Sequence, residues 1–139
     1  MKTIEGDLTA TTARFAIVAG RFNGFVVESM VAAAVDTLRR HGVDEKGITL
    51  VRVPGAFELP IAVGKIIDQG NVDAVITLGA VIRGSTPHFE YVASQCASGI
   101  AAISRETGVP VSFGVLTTCL LYTSPSPRDQ RGSRMPSCA

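Results

Sequence analysis

Four short apolar runs, each separated from the next by a stretch with helical spacing, limit how this chain can fold. The most apolar spans residues 73–82 (DAVITLGAVI) and carries no charge after Asp73. The others are residues 14–20 (RFAIVAG), 48–53 (ITLVRV, stopped by Pro54-Gly55) and 111–117 (VSFGVLT). Runs of this length and type, bounded by Gly or Pro, read as buried strands. They are apolar on both faces, which implies a parallel sheet covered on both sides by the intervening helices. The 73–82 run is the expected central strand, and residues 2–6 (KTIEG) read as a short edge strand.

The helical stretches carry apolar stripes. Val27, Met30, Val31, Ala34, Val35 and Leu38 line one face of a first helix, with His41-Gly42 as its exit. A second runs from about Phe57 to Gln69. Pro60 is tolerated only in a first turn, so this helix is expected to begin near it. A third carries Phe89, Val92, Ala93, Cys96, Ile100 and Ile103 on one face and ends at Gly108. The expected fold is α/β: a three-layer α/β/α sandwich around a four-stranded parallel sheet, in a flavodoxin-like arrangement.

Composition narrows the function classes. A chain of 139 residues with 46% apolar and 18% charged residues fits one domain with a real core. A net charge of +1 gives no electrostatic reason to expect nucleic-acid binding. No apolar run reaches the roughly 18–20 residues of a membrane span, and the N-terminus lacks a signal-peptide centre, so a cytoplasmic protein without membrane contact is expected. Three Cys without a CxxC or a Cys/His cluster predict neither a disulfide framework nor a metal site.

The character of the chain changes at Cys119. Residues 1–118 carry 10 basic and 11 acidic groups, whereas residues 119–139 carry 3 and 1, with Pro at 125, 127 and 136 and no periodicity. The expected division is a domain over 1–118 and a tail over 119–139. That tail reads as disordered, or as translated adapter or vector read-through.

In parallel sheets ligands bind beyond the carboxyl ends of the strands. Function is therefore expected in residues 20–24, 54–58 and 83–88 and after Thr117. In the third of these, Gly84 permits a sharp turn or close ligand approach. Ser85 or Thr86 can cap the following helix, and Pro87 suits its first position. The free amides and hydroxyls there make a natural phosphate site, and His88 on the first turn can move protons near pH 7. Taken without His88, these residues read better as an ordinary capped helix start; His88 tips the reading toward a site. Phe57 offers a flat surface for a ring and Glu58 an acceptor, or Phe57 is core and Glu58 only favours the helix dipole. Phe22 and Asn23 carry the same double reading. Arg21 and Arg83 read as structural, His41 as a helix-end residue and Cys96 as core.

The segments GRFN (20–23), VPGAFELP (53–60), GAVIRGSTPHFEYVA (79–93) and FGVLTT (113–118) together resemble the 6,7-dimethyl-8-ribityllumazine synthase family over residues 1–118. The resemblance implies an enzyme of riboflavin biosynthesis, a transferase that joins 5-amino-6-(D-ribitylamino)uracil to 3,4-dihydroxy-2-butanone 4-phosphate. The implied course is a Schiff base, loss of phosphate, ring closure and dehydration, without metal or organic cofactor. It implies Phe22 and Phe57 beside the pyrimidine. Asn23, Ala56, Glu58 and the backbone of Ala80, Val81 and Ile82 would bind ring and ribityl chain. Gly84, Ser85 and Thr86 would hold phosphate, and His88 would transfer protons. Phe113 would enter from a neighbouring subunit of a homo-pentamer, twelve of which form a shell in some members.

The family continues after this point with two more helices that supply an Arg for phosphate across the interface and a nearby Lys. Residues 119–139 match none of that, and Arg128 sits in an unrelated Pro-Ser context. The expectation is a chain lacking those C-terminal helices, with poor or no activity. Two other classes stay open: a noncatalytic lumazine- or flavin-binding module, and a structural shell protein.

Overall fold

The computed structural model describes residues 1–83 and 89–119. Four strands, β1 (Phe15–Gly20), β2 (Ile48–Val53), β3 (Ala74–Arg83) and β4 (Val111–Cys119), form one parallel sheet in the order β2-β1-β3-β4. Helices α1 (Gly24–Arg40), α2 (Leu59–Asp68) and α3 (Phe89–Thr107) connect them in turn. The architecture is therefore the α/β, flavodoxin-like sandwich that the apolar runs imply. The 73–82 run supplies an interior strand, paired with β1 on one side and β4 on the other.

Alternation along the strands divides the core in two. Ala16, Val18, Val75 and Val81 pack with Leu59 and Val63 of α2 and with Cys96 and Ile100 of α3. Ile17, Ala19, Leu78 and Ala80 face the other way, onto Val27, Val31 and Leu38 of α1. Two helices thus cover one face and one covers the other. Thr77 is the fully buried polar side chain among these strands, and its hydroxyl donates to the Ser112 carbonyl at 2.7 Å, so its burial leaves no orphan group.

Several boundaries differ from expectation for local reasons. Residues 2–6 form no strand. Ile4 and Leu8 are 87% and 79% exposed and gain nothing from pairing, and the segment is tied down near its end, where the Ala10 amide donates to the His41 carbonyl at 2.9 Å and His41 Nδ1 lies 2.6 Å from the Leu8 carbonyl. The second helix begins at Leu59 and follows a separate 3-10 turn over Ala56–Glu58. Pro60 sits in its first turn, as its missing amide requires. Gly42, Gly70 and Gly108, one after each helix, all have positive φ. Coverage of the sheet is uneven: Leu50 on β2 and Leu116 on β4 remain 42% and 45% exposed.

Strand β4 approaches β3 closely at Gly114, where an added Cβ would lie 2.8 Å from the Thr77 carbonyl oxygen and 3.0 Å from Leu78 Cδ2. Backbone cannot step aside as a flexible side chain can. Gly114→Ala is therefore expected to cost about 1–3 kcal/mol through overpacking. Gly64→Ala in α2, whose Cβ would meet Ile103 Cδ1 at an ordinary 3.8 Å, should be neutral or stabilising by up to about 1 kcal/mol. Urea unfolding of the two variants checks this contrast.

Candidate functional site

The strand order creates a switch point. The chain leaves β1 toward β2 and leaves β3 toward β4, so their connections diverge and open a crevice at the carboxyl edge. The strands also end at different heights. Pairing between β1 and β3 stops at Ala19 and Leu78, whereas β3 stays paired with β4 as far as Arg83 and Cys119. From Gly79 onward, β3 stands beyond the last rung it shares with β1. Alternate residues of a parallel strand turn both amide and carbonyl to the same neighbour, so this stretch offers backbone donors and acceptors to a ligand instead of to a strand. Ala80 and Val81, both buried, lie in it, as does the backbone of Ile82.

Backbone hydrogen bonds clamp the β1 and β2 loops together. The Arg21 amide donates to the Val53 carbonyl at 2.7 Å and the Phe22 amide to the Pro54 carbonyl at 3.1 Å. A Cβ on Gly20 would already meet Gly55 at 3.5 Å, so the two chains run nearly in contact. Phe22 and Phe57 project from these joined loops, 52% and 48% exposed. Asn23 takes a left-handed backbone, φ 58°, and its carbonyl accepts from the amides of Val26 and Val27. Its carboxamide makes no capping bond to α1.

The 3-10 turn is anchored from beneath. Ala56 and Leu59 are buried in the α2–α3 core, and Leu59 Cδ1 lies 3.4 Å from where a Gly79 Cβ would stand. Phe57 between them is forced outward. Glu58 is half-buried, with Oε1 3.4 Å from the space a Gly55 Cβ would fill. On the α1 side, Arg52 of β2 grips Glu28 with two bonds, Nη2 to Oε1 at 2.9 Å and Nη1 to Oε2. The Arg52 hydrogen bond holds the Glu28 carboxyl below the usual carboxylate range, and Glu28 in turn raises Arg52.

The fold thus brings Phe22, Asn23, Ala56, Phe57, Glu58 and the Ala80–Ile82 backbone to one edge. It does not bring Phe113 there. That ring is 44% exposed on the outer strand, level with Thr77 and so below the carboxyl edge, with β3 between it and β1. Gly84, Ser85, Thr86 and His88 lie outside the described residues, as do residues 120–139. Cys96 is buried and its thiol is pushed up to about 11 by that burial, which suits packing and not nucleophilic chemistry. One residue near the site escaped the sequence reading. Tyr91 stacks on Phe57 with ring centroids 6.3 Å apart and planes at 26°. Its place off the apolar stripe of α3 was the available signal.

The 6,7-dimethyl-8-ribityllumazine synthase family model matches residues 12–122. The chain belongs to the 6,7-dimethyl-8-ribityllumazine synthase family. That family serves riboflavin biosynthesis; its members are transferases and oligomers that bind small-molecule substrates. The match spans both clamped loops, the overshooting end of β3 and all of β4. Among the described residues, no helix is long and apolar enough to cross a membrane.

Because Leu59 carries the aromatic turn, Leu59→Ala is expected to destabilise the domain by about 2–5 kcal/mol. Ile61→Ala, at a site 64% exposed on the same helix, should change stability by less than about 1 kcal/mol. Thermal or urea denaturation of both variants tests whether the turn is held from below.

Proposed function

We propose that this lumazine synthase family chain condenses 5-amino-6-(D-ribitylamino)uracil with 3,4-dihydroxy-2-butanone 4-phosphate in the cytoplasm, releasing phosphate and water. The observation that carries the reading is the crevice at the switch point. A small-residue strand end with open backbone groups lies beside two outward phenylalanines on clamped loops. A flat, polar heterocycle with a polyol chain fits that chemistry: rings take the faces of Phe22 and Phe57, and ring amides take backbone groups of Ala80–Ile82. Asn23, Ala56 and Glu58 hold the ribityl chain and the remaining ring donors.

The second substrate falls to the segment between β3 and α3. Gly84, Ser85 and Thr86 hold its phosphate through amides and hydroxyls. The 5-amino group adds to the ketone and water leaves, giving a Schiff base. His88 then removes and returns protons as phosphate departs and the ring closes with loss of a second water. No cofactor or metal is needed, because no electrons are transferred and the leaving group is a phosphate already held by donors. Most of the acceleration comes from holding two reactants together and stabilising the departing charge. The exposed Phe113 completes the site of a neighbouring copy in a homo-pentamer, with a 60-subunit shell as its closed form.

The absence of the family's phosphate-binding Arg pattern from residues 119–139 removes a strong charge-assisted contact. Turnover by the purified 139-residue chain, followed by lumazine absorbance, is therefore expected to be poor. Near-normal turnover refutes that expectation. His88→Ala should lower whatever rate is present by roughly 10²–10⁴-fold while leaving lumazine binding in place. An unchanged rate removes the proton-transfer role from His88. A chain that binds the lumazine but never forms it is a binding module instead.

A further inference from the structure

The geometry points to Tyr91 as a positioning residue that fixes the ring of Phe57 in the orientation a flat ligand needs; this rests on the reading of Phe57 as a ring-binding wall. Phe57 sits in a one-turn 3-10 segment whose buried neighbours, Ala56 and Leu59, hold the backbone but leave the phenyl ring outside the core. An outward side chain on such a turn samples several rotamers, and ordering it on binding costs affinity. Tyr91, the third residue of α3, stacks on it in an offset arrangement, with centroids 6.3 Å apart and planes 26° from parallel. One side of Phe57 is thereby backed, and the ring is still 48% exposed for a ligand.

The arrangement has a further consequence. Helix α3 begins directly after the segment assigned to phosphate, so Tyr91 ties the aromatic wall to the same helix start that carries the other half of the site. The contact between the two residues is made by the ring face of Tyr91. Tyr91 is itself 58% exposed, so replacing it opens no core.

The test uses the full chain, with Tyr91→Leu, Tyr91→Phe and Phe57→Leu, and two readouts. The first is the Kd for 6,7-dimethyl-8-ribityllumazine by fluorescence. The second is the order of the ¹³C-labelled Phe57 ring by NMR relaxation in the unliganded protein. Tyr91→Leu should weaken binding about 2- to 10-fold and loosen the Phe57 ring, and Tyr91→Phe should restore both. Wild-type Kd and ring order in Tyr91→Leu overturn the proposal, and so does a Tyr91→Phe variant as impaired as Tyr91→Leu. An unchanged Kd in Phe57→Leu overturns the separate assignment of Phe57 to the ligand, and the ring-order comparison still decides whether Tyr91 holds it.

Discussion

The strand order β2-β1-β3-β4 makes the chain depart from the two interior strands in opposite directions, and the rest of the molecule follows from that divergence. Right-handed crossovers send α1 to one face and α2 and α3 to the other. The same divergence keeps either connection from roofing the gap between β1 and β3. The gap is then shaped by strand length: β1 stops, β3 continues, and the residues on the continuing stretch begin with Gly79 and Ala80, which fill little of it. A crevice floored by backbone follows from the topology together with two small residues.

Covering a four-stranded sheet with one helix on a face leaves its margins wet. Helix α1 spans β1 and β3, and its hold on β2 is extended by the Arg52–Glu28 fork at the surface. On β4, Ser112, Leu116 and Thr117 remain exposed. Apolar area left open on an edge strand is what association between copies or further chain removes. The exposed Phe113 belongs to that same margin.

Apolar runs marked all four strands because a buried parallel strand leaves no polar face, and the helix stripes marked α1 to α3 for the complementary reason. What the pattern could not carry was relative height. The run 73–82 announces a strand but not that its residues 79–82 lie beyond the last rung shared with β1, since register is decided between strands and not within one. Three residues show no period, so the pattern does not separate the 3-10 turn from α2, although Pro60 marks where the α-helix starts. Residues 2–6 have the alternation of an edge strand, but alternation without a face to bury is only a pattern. Phe113 shares the parity of Val111 and Val115, which pack on the core, but is itself exposed because parity assigns a face and not a covering partner. Phe22, Asn23, Phe57 and Glu58 were legible as site candidates because strand ends were known. Tyr91 was not, because a stacking partner is set by how α3 crosses the turn.

The crevice also constrains its own proton chemistry. The loops after β1 and β2 contribute only two ionisable side chains, Arg21 and Glu58. Backbone groups bind but do not titrate. The side chain that changes charge near neutrality without help from its surroundings is histidine, and the chain has two. His41 is at the far end of α1, beneath the amino edge of the sheet, with Nδ1 2.6 Å from the Leu8 carbonyl. It is spent on holding the N-terminal segment. The reaction proposed for this crevice assigns proton transfer to His88, which in the sequence follows β3 and directly precedes Phe89 of α3.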